Sequence, residues 1–366
     1  MKRHSLITCI CGAAAVILAG CVLLYILPSK SSTMKICVGT YGENLYVYDF
    51  NTRSLEFTLD RTAEAANPSY ALMHEGHIYA VSETGEESGA YSFYATGTTI
   101  DKTADLKQTG ADPCFVLIHD GQMMTADYSG GSVSVFPISD GKILDCCQTL
   151  EFEGRGPVKD RQESSHIHQL KAIPGTDWIL ASDLGADNIW IIRKDSDSLT
   201  PVWSIDCPAG SGPRHMEFSK DGRMLYCIAE LSGNILVYSI DHESSMRPEF
   251  SFIQEIQADE VNAGGSADIH IHPSGKYLYT SHRLDNDGIA AFRINEDGTL
   301  EKIGYSRTAR HPRNFMITPD GGLMLVACRD DKVIQVFRIS EDGTLTLTPS
   351  VLRFESDMPS SVTLSR

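Results

Sequence analysis

A histidine, two arginines and a glutamate recur at matching places in successive repeats of this chain: His168, Arg214, Glu230 and Arg283. Together they suit hydrolysis of an ester. Water needs a base to take its proton, and the oxygen that gathers negative charge needs a cation beside it. Glu230 or His168 offers the base. Arg214 and Arg283 offer guanidinium forks, which match a planar carboxylate, a tetrahedral phosphate or a developing oxyanion. His215, Asp268, His270, Arg313 and Arg329 stand beside these or at equivalent places and are expected to bind substrate. Four of them have a plainer reading. Glu230 with Arg214 makes a structural ion pair, His215 packs between repeats, and Arg313 ties the last repeats together.

Two His-x-His pairs, His166 with His168 and His270 with His272, raise the question of a metal, because alternate residues of a strand share a face. The second pair runs into a turn at Pro273, away from the other charged residues. No metal and no other cofactor is expected. There is no Gly-x-Ser-x-Gly, which argues against an acyl-enzyme route.

The elements that must position these residues are short strands. One pattern recurs: Pro or Gly, an apolar strand, a polar turn ending in Gly, a second strand, a Gly/Asn/Asp turn, a third strand. Its clearest copies are GPRHMEFSKDGRMLYCIAELSGNILVYSI from Gly212, ADIHIHPSGKYLYTSHRLDNDGIAAFRI from Ala267 and HPRNFMITPDGGLMLVACRDDKVIQVFRI from His311. Weaker copies begin at Asn67, Asp112 and His166. Full copies add a fourth stretch such as GTLEKIGYS after Gly298. Four short strands every 40 to 55 residues or so mark the blades of a β-propeller. The C-terminal PSSVTL reads as a first strand that then stops, and N-terminal ICVGT, LYVYDF and LEFTL read as strands two to four. Joining them closes an all-β ring of seven blades, the last one shared by the N- and C-terminal strands.

The repeat register brings two sets of residues to one channel mouth, because strands one and two form an antiparallel hairpin. Starts of strand one are read as Ser69, Cys114, His168, Arg214, Asp268, Arg313 and Ser360. Ends of strand two are read as Tyr41, Glu83, Asp127, Asp183, Glu230, Arg283 and Arg329. On this reading carboxylates dominate the second to fifth blades, and arginines the last two.

The chain of 366 residues carries a formal charge of −17, which argues against nucleic-acid binding and polybasic membrane docking. An anionic substrate must therefore be drawn in by a local cluster of Arg and His. Residues 1–33 form a signal peptide or membrane anchor and 34–366 the propeller. Lys2 and Arg3 precede an apolar run from Leu6 to Leu27, about twenty residues, enough to span a membrane with the propeller on the outer side. Leu18-Ala19-Gly20-Cys21 is similar to a lipoprotein processing site with Cys21 lipidated, whereas the apolar VLLYIL after it fits an uncleaved anchor. Either route puts the protein at the cell envelope, touching membrane through this segment alone. Cys37, Cys114, Cys227 and Cys328 sit in strand-like runs and read as small buried apolar residues. A closed ring has short, protected edges, so a monomer is expected.

GTY at Gly39, YSGGSVSVF at Tyr128, GPRHMEF at Gly212, the Glu230 turn, ADIHIHPSGKYLY at Ala267 and PRNF at Pro312 carry a family resemblance. The region after about residue 34 resembles the propeller-type lactonases, which include the 6-phosphogluconolactonases and the carboxy-muconate cyclases. The resemblance implies a carboxylic-ester hydrolase acting on a small sugar lactone, with 6-phosphogluconolactone the specific substrate. It also places His168, Arg214, Glu230 and Arg283 at the channel mouth. An export signal is at odds with a cytoplasmic phosphorylated substrate, so another sugar lactone at the envelope is a serious variant. Two further readings are a ligand- or protein-binding propeller without activity and a cycloisomerase that opens or closes a lactone.

Overall fold

Period-two alternation within the strands sets how the sheets pack. In Met224–Ala229, Leu225 and Cys227 point to one neighbouring sheet, packing with Ile189 and Ile191, while Tyr226 and Ile228 point to the other, packing with Ile269 and Leu278. Both faces of each sheet are buried, and seven apolar clusters fill the gaps between blades. The computed structural model describes residues 32–96, 99–196, 198–241 and 247–365. The apolar N-terminal run and Cys21 lie outside these.

Seven antiparallel sheets follow one another, confirming the all-β, seven-bladed propeller. Blade one joins Met358–Leu364 to Thr33–Tyr41, Asn44–Asn51 and Glu56–Glu64, with Ile36 opposite Leu364. The first strands of blades two to seven are Ala71–His74, Pro113–His119, Ile167–Ala172, Pro213–Phe218, Ser266–Ile271 and Pro312–Ile317. These first strands contact each other around the ring, so they line its axis. Blade three departs from the four-strand plan. Its outer position is split into Lys142–Ile143 and Gln148–Glu151, both paired with Ser132–Ser139. Cys146 and Cys147 lie in the interruption as thiols, and the four buried strand cysteines are thiols too.

One irregularity repeats. In blade five Pro213 pairs with Ala229 and His215 with Ile228, which leaves Arg214 as an extra residue. The same shift leaves Cys114, His168, Arg313 and Ser360 unopposed in their blades, and blade six has one extra residue between Ser266 and Ile269. These are β-bulges, which bend the strand and re-aim a side chain. The residue two positions before the bulge often turns left-handed: Asp112, His311 and Gly212 have φ of 50°, 63° and 63°, and Asn67, at the equivalent place of blade two, has 41°. Asn, Asp and His tolerate that region better than most side chains, and Gly is free to enter it. At Gly212 a Cβ would also lie 2.6 Å from Leu231.

Just after the bulge a polar side chain staples neighbouring blades at four places. Met216 N donates to Gln169 Oε1 at 2.6 Å, Phe315 N to Asp268 Oδ2 at 3.1 Å, Val362 N to Asn314 Oδ1 at 2.7 Å and Ala71 N to Ser361 Oγ at 3.3 Å. Gln169→Ala strands the Met216 amide. It is expected to lower unfolding free energy by about 1–3 kcal/mol, read as a shift in urea midpoint with unchanged slope.

Buried His282 has both ring nitrogens engaged, at 2.8 Å from Ser266 Oγ and 2.8 Å from Thr280 Oγ1. Burial first, then the charges of Lys302 and Arg283, push it down to about 3. Below its unfolded value near 6.5 the unfolded chain binds a proton that the folded chain refuses, so stability falls as pH drops from about 6.5 towards 3. His282→Asn should show a shallower loss of Tm than the native protein across that window.

Candidate functional site

The bulges converge on one cavity at the channel mouth. Its wall is Ser69, Cys114, His168, Arg214, Arg313 and Ser360, all but Ser69 on a bulge. Tyr70, His215 and Asn314, each one residue further along, form its floor. The enclosed space is tight, about 10 Å3, room for about one water molecule.

A second ring surrounds it. Tyr128 N, Leu184 N, Glu230 N, Arg283 N and Arg329 N donate to the carbonyls of Asp112, His166, Gly212, Gly265 and His311, and Glu83 N to Asn67 O. Tyr41 pairs with Met358. The equivalent residues are thus Tyr41, Glu83, Tyr128, Leu184, Glu230, Arg283 and Arg329. This corrects the sequence register at two places, where Asp127 and Asp183 had been expected. A one-residue slip turns a strand side chain to the opposite face. Asp127 instead accepts from Gly110 N and from Thr125, Ser132 and Ser134 hydroxyls. Asp183 accepts from His166, Gly185 and Ala186 amides and from Trp190 Nε1. Both are structural. The same slip applies in blade six, where Ala267 holds the bulge place and Asp268 stands with the floor residues. Carboxylates therefore do not dominate blades two to five of the mouth; Glu83 and Glu230 supply them.

Glu230 is the hub. Arg214 Nε donates to Oε2 at 2.6 Å and Arg161 Nη2 to Oε1 at 2.6 Å, while Arg283 Nη2 lies 3.0 Å from Oε2. Burial by itself would raise this carboxyl, but Arg283, Arg214 and Arg161 outweigh it and hold it down at about 2. An ionised group with both oxygens committed is a clamp for cations and a weak base. Arg214 Nη1 is fixed on Ala267 O and Arg283 Nε on Gly265 O. Arg283 also donates to His311, whose ring is kept neutral by burial and by Arg283 and Arg329. Arg313 lies over the Tyr41 ring at 5.3 Å, and Tyr41 Oη donates to Glu83. Arg161, Arg214, Arg283 and Arg313 are thus offset mainly by Glu230 and Glu83, with Asp268 also acting on Arg214, a local positive surplus in an acidic protein. Arg329 sits at the rim, paired with Asp330 at 2.7 Å.

His168 is buried, with Nδ1 3.7 Å from Cys114 Sγ and its ring edge-on to His215 at 5.1 Å. Burial and Arg214 keep it neutral. His270, expected to bind substrate, does not line the cavity. Its Nε2 lies 3.0 Å from Asp268 and its Nδ1 3.4 Å from Glu217, the two carboxylates that raise it to about 9 against its burial. The His-x-His pairs diverge: His166 stacks on Tyr128, and His272 bonds Ser274 and Gly321. Among the described residues no cluster has the makings of a metal site. Sequence reasoning missed Arg161 altogether. It lies in the segment between blades three and four, held by Gln162, which bonds Leu184 O and Asp187. That segment has no counterpart in other repeats, so only its polar GRGPVKDRQESS composition signals it.

Residues 35–364 match the family model described as "Lactonase, 7-bladed beta-propeller". The chain is 32% identical over 332 residues to the 6-phosphogluconolactonase of Formosa agariphila, covering 85% of this chain and 93% of that protein. A solved structure of a 6-phosphogluconolactonase candidate from Bacteroides fragilis superposes with a TM-score of 0.87 at 36% identity, over 92% of this chain and 99% of its own. The periplasmic gluconolactonase of Pseudomonas aeruginosa superposes at 0.81 with 26% identity, over 92% and 99%.

Glu230→Gln leaves three guanidinium groups without their shared charge. A loss of about 3–5 kcal/mol in urea unfolding is expected, as for a broken buried ion pair. Added phosphate or sulfate should recover part of the lost Tm by occupying the exposed cations.

Proposed function

The chain belongs to the seven-bladed β-propeller lactonases, and from that membership we propose that it hydrolyses a sugar lactone at the arginine-rich mouth of its channel. The reaction class is carboxylic-ester hydrolysis: 6-phospho-glucono-1,5-lactone plus water gives 6-phosphogluconate. The observation that carries the reading is the positive surplus around Glu230. In a water-poor site such cations stabilise a tetrahedral oxyanion far more than they would in bulk water. Arg214 and Arg283 are the residues proposed to face that oxyanion. Glu230 holds both of them in place, and His168 completes the wall beside them. Arg313 and Arg329, stacked on Tyr41, are suited to hold the substrate's own anionic group.

An unphosphorylated envelope lactone is a second reading. The apolar run Leu6–Leu27, with Cys21 as lipid acceptor or as part of an uncleaved anchor, favours a propeller held outside the cytoplasm, as a monomer. The related Pseudomonas aeruginosa protein is a periplasmic gluconolactonase.

The test is hydrolysis by the full chain of 6-phosphogluconolactone beside gluconolactone. Arg214→Ala and Arg283→Ala should each lose about 10²–10³-fold in kcat on the preferred substrate, the usual cost of an oxyanion donor. Hydrolysis of the unphosphorylated lactone alone would select the second reading. A folded protein inactive on both would overturn lactone hydrolysis and favour a binding propeller.

A further inference from the structure

His215 is placed unlike Gln169, Asp268, Asn314 and Ser361 at its level of the channel. Those four spend their side chains on the amide of the next blade. His215 makes no such staple. The blade-six amide that it would take, Ile269 N, donates to Asp268 Oδ1 at 3.0 Å. His215 Nδ1 lies 2.7 Å from the same Asp268 oxygen, and its Nε2 is buried with no hydrogen-bond partner. The ring is 4% exposed and forms part of the cavity floor, while Asp268 does not line the cavity. The free nitrogen therefore belongs to the cavity side of the ring.

We propose that His215 is the general base that deprotonates the attacking water, with Asp268 as the residue that positions it. This rests on the lactonase reading and departs from the expectation that Glu230 or His168 supplies the base. Asp268 also receives donors from Asn314 Nδ2, Phe315 N and His270 Nε2. A carboxylate ringed by donors is ionised and accepts only, so the hydrogen between it and His215 sits on Nδ1. In the neutral ring Nε2 then carries the lone pair, the arrangement a base requires.

The groups facing His215 keep it ready. Burial and Arg214 on its own strand favour the neutral ring and outweigh Asp268, which favours the charged one. Beyond these lie His270 behind Asp268, His168 across the cavity, and Cys114 and Arg313 in the wall. The step balances without a co-reactant. Water oxygen bonds to the lactone carbonyl carbon as Nε2 takes one of its protons, and the oxyanion gathers between Arg214 and Arg283. When the carbon–ring-oxygen bond breaks, the Nε2 proton passes to the departing ring oxygen, which leaves as a hydroxyl. The remaining water proton is lost as the product acid ionises.

The experiment is steady-state hydrolysis between pH 3 and 9 by the full chain, as native protein, His215→Gln and Asp268→Asn, because His215 is pushed down to about 4. His215→Gln should lose about 10²–10⁴-fold in kcat, with KM within about threefold. The acidic limb of its kcat/KM profile should vanish. Asp268→Asn should lower kcat at least about tenfold and move that limb, while KM stays close to native, because it removes a positioning charge. If His215→Gln stays within about threefold of native kcat, the dyad falls and the lactonase reading stands. Should His215→Gln fail to fold, Asp268→Asn decides, and an unmoved acidic limb overturns the dyad. A native protein that hydrolyses no lactone sinks both readings together.

Discussion

One inserted residue in the innermost strand sets the rest of the site. A regular strand sends consecutive side chains to opposite faces, and here both faces belong to the apolar gaps between blades. The bulge breaks that rule in six of the seven blades, so two neighbours such as Arg214 and His215 both serve the channel. The residues just beyond it recover the ladder and bond to the adjacent blade. Rigidity and chemistry therefore come from the same short stretch: wall residue first, floor or staple next, core after that.

The electrostatics follow from this crowding. A guanidinium as buried as Arg214, 1% exposed, is costly to hold away from water unless paired. Glu230 offsets that cost for three arginines at once, which leaves the mouth positive where the chain as a whole carries −17. The two acidic residues play opposite parts. Glu230 gathers cations and is saturated. Asp268 gathers one cation, His270, with amide donors and aligns an imidazole whose far nitrogen stays uncommitted. Two ion-pair-rich neighbourhoods a strand apart thus divide charge stabilisation from proton transfer.

Much of this was legible from residue order. Turn residues and alternation located the hairpins, and the truncated PSSVTL strand announced the closure between the two ends of the ring. Glu230 and Arg283 were placed well because each directly follows an apolar strand. The misses share a cause. Whether Asp127 or Tyr128 stands at the mouth depends on a backbone bond from Tyr128 N to Asp112 O. Whether Ala267 or Asp268 sits on the bulge depends on where the ladder slips. Neither leaves a mark in residue type. Arg161 escaped for another reason: it lies outside the repeat, so no alignment of blades can bring it to Glu230. His215 was read as packing or substrate binding because an orphaned nitrogen is visible only in three dimensions.

The closure has a consequence for how the chain is made. Ile36 waits for Leu364, so the ring cannot be completed until all the intervening blades have been synthesised. Until then Thr33–Tyr41 presents a bare edge, and the apolar gap holding Ile36, Val38 and Phe50 lacks Val362. An unpaired strand edge beside exposed apolar surface is what chaperones and proteases recognise. The fold thereby audits its own length: a ribosomal product cut short in any later blade is left marked as unfinished, however well its earlier hairpins have formed.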